Sequence, residues 1–258
     1  MHDVSVMSID TNNRMLYWID EYNFQLYRAH LTPSSLSLTT PQVLLSEDNE
    51  HEIQPSSVAI DWIGQNLYIT DSTHGCIWVM KSDGRYATKI ITGIEAPWVV
   101  AVNPILGILY FINYEPEGVT HTDERIVAIE SAYMNGENWT ILVDTDIVFP
   151  TDLVIDFYQN HRVYWTDEKK QSIESMNYDG TDRVTLAHVG IHAPHSLDIF
   201  ANNLYWINRD NRSLNSIDKF GRGLSSMLLD GLQSPLFVRV YHPLKQIQSG
   251  FKTERRSS

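Results

Sequence analysis

Apolar and polar positions alternate along most of this chain in short runs, and the runs come in groups of four. Each group opens with an apolar stretch that ends near an acid or amide: "VSVMSID", "SVAID", "WVVAVN", "DLVID" and "HSLDIF". An aromatic stretch follows: "LYWID" at Leu16–Asp20, "LYITD" at Leu67–Asp71, "LYFIN" at Leu109–Asn113, "VYWTD" at Val163–Asp167 and "LYWIN" at Leu204–Asn208. A third run comes next, such as "CIWVMKSDG" or "SIESMNYDG". The fourth is "QVLLS", "ATKIIT", "WTILVD", "RVTLA" or "SSMLL". Alternation rich in β-branched and aromatic residues, punctuated by Gly, Asn and Asp, predicts short strands. "SDG", "NYDG" and "KFG" supply turn residues that tolerate positive φ. No segment carries the apolar stripe of an amphipathic helix.

The second run marks a period. Tyr17, Tyr68, Tyr110, Tyr164 and Tyr205 are spaced by 51, 42, 54 and 41 residues. Four strands recurring at roughly 40–50 residues are the signature of a β-propeller blade. Pro55, Pro97, Pro150 and Pro194 stand before the first strands, and Pro235 precedes a further such run, "LFVRVYHP". Proline has no N–H to give a ladder, so it suits the start of a strand. The repeat runs unbroken from Val4 to Tyr241. It predicts one all-β domain over residues 1–246 and a tail, residues 247–258, expected to be disordered.

Residues that recur around a ring cannot all meet one ligand. Tyr17, Trp18, Asp20, Tyr68, Asp71, Tyr110, Asn113, Tyr164, Trp165, Asp167, Tyr205, Trp206 and Asn208 are therefore read as structural. On a strand the first and third positions face one neighbouring blade, and the second and fourth face the other. The terminal acid or amide is suited to accept backbone N–H bonds and tie down a turn.

Composition narrows the function. The formal net charge is −13, from 19 Lys and Arg against 32 Asp and Glu. That balance disfavours nucleic acid and anionic membrane surfaces and fits a cationic partner. The single cysteine, Cys76, lies in an apolar run and reads as a small buried hydrophobe. Two glycosylation sequons occur, at Asn138 and Asn211. No run approaches the length needed to span a bilayer, and "MHDVSVMSID" is not a signal peptide. No G-x-S-x-G, P-loop or H-E-x-x-H is present, "DTDIVFPTD" is not a calcium loop, and His192 and His195 lack a third zinc ligand. The sequence thus predicts no cofactor, no metal and no catalysis.

"YWTD" in this setting, with "QPSSVAIDWIGQNLYITDS" and "MNYDGTDRVTL", resembles the YWTD (LDL-receptor class B) β-propellers of the low-density lipoprotein receptor-related family. The resemblance implies a six-bladed propeller. Here five full blades and one last inner strand, 21 strands in all, are legible, so the ring is expected to be incomplete and the chain a fragment or truncated form. It implies a ligand-binding and ligand-releasing module of an endocytic cell-surface receptor, extracellular or in the endosomal lumen. Its partners would be protein or peptide ligands. EGF-like and LDL-receptor class A modules would share the parent chain. Alternatives are a signalling co-receptor or matrix propeller holding a peptide at the channel mouth and, more remotely, a calcium-dependent propeller hydrolase.

Residues that break the repeat are the candidates for binding. Around the starts of the first strands and just after the aromatic runs these are Glu95, Trp98, Tyr114, Asp152, Glu168, His195 and Arg209, with Glu21 at the equivalent place in the first repeat. His188, His192 and His195 cluster in "AHVGIHAPHS" and are candidate sensors of endosomal pH.

Overall fold

The structure, a computed structural model, describes residues 4–20, 22–32, 37–46, 50–115, 127–158, 161–187 and 190–246. Glu21, His188 and the tail from residue 247 lie outside them. The described strands form five four-stranded antiparallel sheets, each a meander in chain order. Blade 1 holds β1 (Val4–Asp10), β2 (Met15–Asp20), β3 (Gln25–His30) and β4 (Gln42–Leu45). Blade 2 holds β5 (Ser57–Asp61), β6 (Asn66–Asp71), β7 (Cys76–Lys81) and β8 (Thr88–Thr92). Blade 3 holds β9 (Ala96–Asn103), β10 (Ile108–Tyr114), β11 (Val127–Tyr133) and β12 (Thr140–Val143). Blade 4 holds β13 (Pro150–Ile155), β14 (Val163–Asp167), β15 (Ser172–Met176) and β16 (Val184–Ala187). Blade 5 holds β17 (Pro194–Phe200), β18 (Asn203–Asn208), β19 (Ser213–Asp218) and β20 (Ser226–Leu229). The first strand of each blade is innermost, and these strands together line a central channel.

The aromatic runs glue blade to blade. Tyr110 and Ile112 pack towards blade 4, where Val163 and Trp165 meet them in one buried cluster. Phe111 and Leu109, on the other face of β10, pack with Tyr68 of blade 2. The buried tyrosine hydroxyls find partners across the gap between blades. The Tyr68 hydroxyl donates to the Met134 carbonyl, and the Tyr110 hydroxyl to the Tyr178 carbonyl, each in the next blade. Burial pushes both phenols up, Tyr68 to about 12. The turn of the next blade must also lie close. Gly136 has φ of 89°, and a Cβ there would stand 2.0 Å from the Ile90 carbonyl oxygen of blade 2, so glycine is required on both counts.

The terminal acid or amide of the last four runs secures the segment arriving from the preceding blade. Asp167 accepts from the N–H groups of Val148 at 2.8 Å, Phe149 at 3.1 Å and Lys170 at 3.0 Å. Asp71 accepts from Gln54 and His74, Asn113 from Ala96, and Asn208 from His192. Asp20 accepts from Tyr22 and Asn23 in its own hairpin. The prolines sit slightly deeper than the sequence suggests. Pro150 and Pro194 are first strand residues, and Pro97 lies inside β9 at an irregularity in its pairing with β10.

One expected strand is absent. The segment 235–241 forms no ladder, so 20 strands rather than 21 are found among the described residues. The reason is that the described residues hold no second strand for it to pair with, and its backbone is bonded by side chains of blade 5 instead. Ser196 Oγ accepts from Val238 N–H at 3.2 Å, and Asp198 accepts from Val240 N–H at 2.5 Å. The segment then reaches blade 1: Arg239 Nε donates to the Met7 carbonyl, and Gln246 accepts from Thr11 N–H and donates to the Ile9 carbonyl. It is a strap closing blade 5 onto blade 1. No described blade packs on the far side of blade 5. Leu229 is accordingly 54% exposed, where its counterpart Leu45 in blade 1 is 4% exposed. Among the described residues no helix is long and apolar enough to cross a membrane.

Removing the Asp167 carboxylate strands three N–H groups at once. Asp167→Ala should cost about 3 kcal/mol and lower the melting temperature by roughly 6–12 °C at this chain length. Thermal unfolding followed by circular dichroism checks it; an unchanged midpoint would remove Asp167 from the scaffold. Arg239→Met leaves Asp152 charged, buried and unpaired and should cost about 3–5 kcal/mol. Adding Asp152→Leu should recover a large part of that loss in chemical denaturation.

Candidate functional site

The channel has a volume of about 360 Å³ and is lined by the five inner strands and the strap. Its two ends differ. At the C-terminal end of the inner strands, Trp62 of blade 2 and Phe157 of blade 4 meet edge-to-face with centroids 4.6 Å apart. They come from non-adjacent blades, so the contact bridges part of this end of the channel. At the N-terminal end the mouth is ringed by Trp98 from β9, Thr151 from β13, His195 from β17, and Leu236 and Phe237 from the strap.

Most of the candidates converge on this mouth, in different states. Trp98 is 45% exposed, held by its place in β9, where its carbonyl accepts from Thr70 Oγ1 of blade 2. Glu95 is exposed on the loop just before it. Glu168 follows β14 directly and donates its N–H to the Phe149 carbonyl. Its Oε2 lies 3.8 Å from both His195 Nδ1 and Arg209 Nη1. Those distances are too long for hydrogen bonds, and Glu168 Oε2 and His195 Nδ1 are buried atoms without a hydrogen-bond partner. The His195 ring lies 6.0 Å from Phe237.

Two candidates are structurally engaged. Tyr114 is buried and donates its hydroxyl to the Pro150 carbonyl at 2.6 Å, joining blade 3 to blade 4. Asp152 is buried and accepts from Arg239 Nη1 at 2.9 Å, Ser196 Oγ at 3.0 Å and Leu197 N–H at 2.9 Å. Asp198 is likewise paired, with Lys245. Burial lowers the Lys245 amine while Asp198 raises it, with the net shift downward. Arg239 and Lys245 were not singled out from sequence. A cation inside the apolar run "LFVRVYHP" was the available signal, because a charge there needs a buried counter-ion.

The histidines divide. Burial, then the positive charge of Arg209 and, more weakly, Arg239, lower the His195 pKa to about 4, against a smaller opposing effect of Asp152. That direction disfavours the charged form of His195 in the pH range where an endosomal sensor would titrate. His192 is exposed, with its N–H held by Asn208. Of the sequons, Asn138 is exposed with φ of 55°, whereas Ser213 of the second is buried and donates its Oγ to Asn211 at 2.6 Å. Among the described residues no group of three His, Cys, Asp or Glu side chains is arranged to hold a metal ion.

The His195 shift has a signed consequence. Its folded pKa lies below the unfolded value of about 6.5, so the unfolded chain binds the proton first as pH falls. Stability from this site is full above about pH 6.5 and is lost progressively towards pH 4. An NMR titration should find the His195 ring neutral at pH 5, and His195→Gln should flatten that part of the stability profile. A midpoint near 6.5 would contradict the geometry.

No family model matches the chain. The vitellogenin receptor of Solenopsis invicta is 32% identical over 187 residues, 72% of this chain and 10% of that protein. The mouse low-density lipoprotein receptor-related protein 5 is 28% identical over 221 residues, 85% of this chain and 13% of that protein. The chain thus spans about a tenth of the length of the curated relatives it matches. Among solved structures, a chain from the crystal structure of a nidogen–laminin complex superposes with a TM-score of 0.73 at 22% identity, covering 89% of this chain and 80% of that one. A gluconolactonase from Xanthomonas campestris gives 0.66 at 16% identity, covering 87% and 75%. Both structural likenesses show the fold alone. With the recurring tetrapeptide, the five blades it glues and the receptor relatives together, the chain belongs to the YWTD β-propellers of the low-density lipoprotein receptor-related family.

Proposed function

We propose that this chain is the non-catalytic, ligand-binding propeller of an endocytic lipoprotein-receptor-like protein, and that it holds a segment of a protein partner at the channel mouth. The observation that carries this reading is the asymmetry of the channel. One end is narrowed by Trp62 against Phe157, and the other presents exposed Trp98 among polar groups. A tryptophan at the rim of an apolar pocket is the kind of residue that dominates a binding interface. In this reading Trp98 is the anchor, Glu95, Glu168, His195 and Arg209 give orientation, and Leu236 and Phe237 form a wall. Asp152 and Tyr114 act by positioning the mouth.

The wider setting is part of the same proposal. The chain would stand outside the cell or in the endosomal lumen, in a single-pass receptor that also carries EGF-like and LDL-receptor class A modules. Relatives named as receptors support it. A co-receptor or matrix role would change the partner and keep the site. The hydrolase alternative needs channel carboxylates free to hold a cation, and Asp152 and Asp198 are taken by Arg239 and Lys245.

A random dodecamer peptide library panned against the immobilised full chain tests the site. Selected peptides should bind Trp98→Ala about thirtyfold more weakly, the size of a hot-spot truncation. Its melting temperature should be unchanged, and Ile63→Ser at the opposite end should have no effect. Peptides that ignore Trp98→Ala, or none at all, would overturn the mouth as the binding surface.

A further inference from the structure

We infer that the contact between Glu130 and Trp139 on the flank of blade 3 is an acid-released latch: at neutral pH the Glu130 carboxylate holds the Trp139 indole, and a proton taken up by that carboxylate frees the indole to solvent. Neither residue lines the channel, so the latch stands apart from the mouth and from its reading as a binding surface.

Blade 4 shows the same position with cations in place. Glu174 of β15 is buried and is bonded by Lys170 Nζ at 2.8 Å and by Arg183 Nε at 2.8 Å. Thr185 lies opposite Glu174, and Arg183 follows Glu174 by 9 residues. Blade 3 repeats the layout. Ile141 lies opposite Glu130 of β11, and Trp139 follows Glu130 by 9 residues. A neutral indole thus takes the place of the arginine and donates its Nε1–H to Glu130 Oε2. Asn113 Nδ2 donates to the other oxygen, Oε1, at 3.0 Å. Glu130 itself is buried.

Among the described residues no cation compensates this carboxylate. On its face of blade 3, β10 offers Phe111 and Asn113, and the facing side of blade 2 offers Ile77, Ile91 and Ile94. The charged groups of blade 2 are engaged elsewhere. Lys89 lies over the Trp78 ring on that blade's other face, Asp71 is bonded by His74, and Glu95 is exposed. Burial pushes the Glu130 carboxyl up, against smaller lowering effects of Asn113 and Trp139. Both carboxylate oxygens face N–H donors, so a proton on either sets O–H against N–H. Asn113 is fixed as a donor, because its Oδ1 accepts from Ala96 N–H at 3.1 Å. Trp139 is 45% exposed and its N–H can bond water instead, so Trp139 is the partner that yields. The flank of blade 3 therefore carries a tethered tryptophan at neutral pH and a free one in acid.

The test follows the indole N–H resonances of the full chain by NMR as pH is lowered, with Trp139→Phe identifying the Trp139 signal. That signal should shift and begin to exchange rapidly with water, with a midpoint above the ordinary glutamate value of 4.5. Trp206 is the internal control, because its N–H is held by the neutral amide of Asn208 at 2.9 Å, and its signal should stay in place while the fold is intact. Glu130→Gln sets an amide N–H against one of the two donors, so at neutral pH its Trp139 signal should already stand where the unsubstituted chain arrives in acid. Trp139→Arg, which copies blade 4, should carry the midpoint of the Glu130 carboxyl carbon resonance below 4.5. A Trp139 signal that ignores pH while Trp206 reports an intact fold, a midpoint at or below 4.5, or an unaltered Trp139 titration in Glu130→Gln would each overturn the latch.

Discussion

An inner strand of a propeller blade pairs with a neighbour on one edge only, and its other edge carries N–H groups in a partly dry channel. This chain answers that constraint with side chains from the preceding blade. Ser8 accepts from Ile60, Ser57 from Val100 and Asp152 from Leu197. Ser196 and Asp198 do the same for Val238 and Val240 of the strap. Each such bond contributes about 1 kcal/mol, and more where the acceptor is charged. Lost together they would leave a row of buried donors unsatisfied. The device also explains how a segment with no ladder can occupy the sixth inner position.

The buried charges follow from the same arrangement. Asp152 and Asp198 are strong acceptors for edge N–H groups, but a carboxylate in the channel needs a counter-ion. The strap supplies both, Arg239 and Lys245, and Arg239 extends to the Met7 carbonyl of blade 1. Lys219, almost fully buried, pairs in the same manner with Asp156, next in the chain to Phe157. The channel interior is therefore internally matched. The mismatch is displaced to the rim, at Glu168 and His195. The binding site proposed at the mouth needs no moving part, because rigid strands fix the rim.

Much of the architecture was legible in the sequence because it repeats. The spacing of Tyr17, Tyr68, Tyr110, Tyr164 and Tyr205 gives the blades, and strand alternation gives their faces. The rest depended on contacts between residues far apart in the chain. Asp152 and Arg239 are 87 residues apart, so nothing local distinguishes Asp152 from an exposed mouth acid. Tyr114 follows its run as Glu168 does, yet it turns inward to Pro150. "LFVRVYHP" alternates like a strand, but whether it is one depends on a ladder partner that the described residues do not provide. The clustering of His188, His192 and His195 offers a pH sensor, whereas the burial of His195 and its nearness to Arg209, which push its pKa down, depend on contacts that the sequence does not show.

Native-state amide hydrogen exchange tests the central constraint most directly. If side chains of the preceding blade satisfy the inner edges, the amides of Ile60, Val100, Leu197, Val238 and Val240 should exchange slowly, near the rate of ladder amides in the same blades. Ser196→Ala should release Val238 selectively. Exchange of Val238 and Val240 at the rate of an exposed loop, with Leu197 protected, would contradict the account, because the strap would then not be part of the ring.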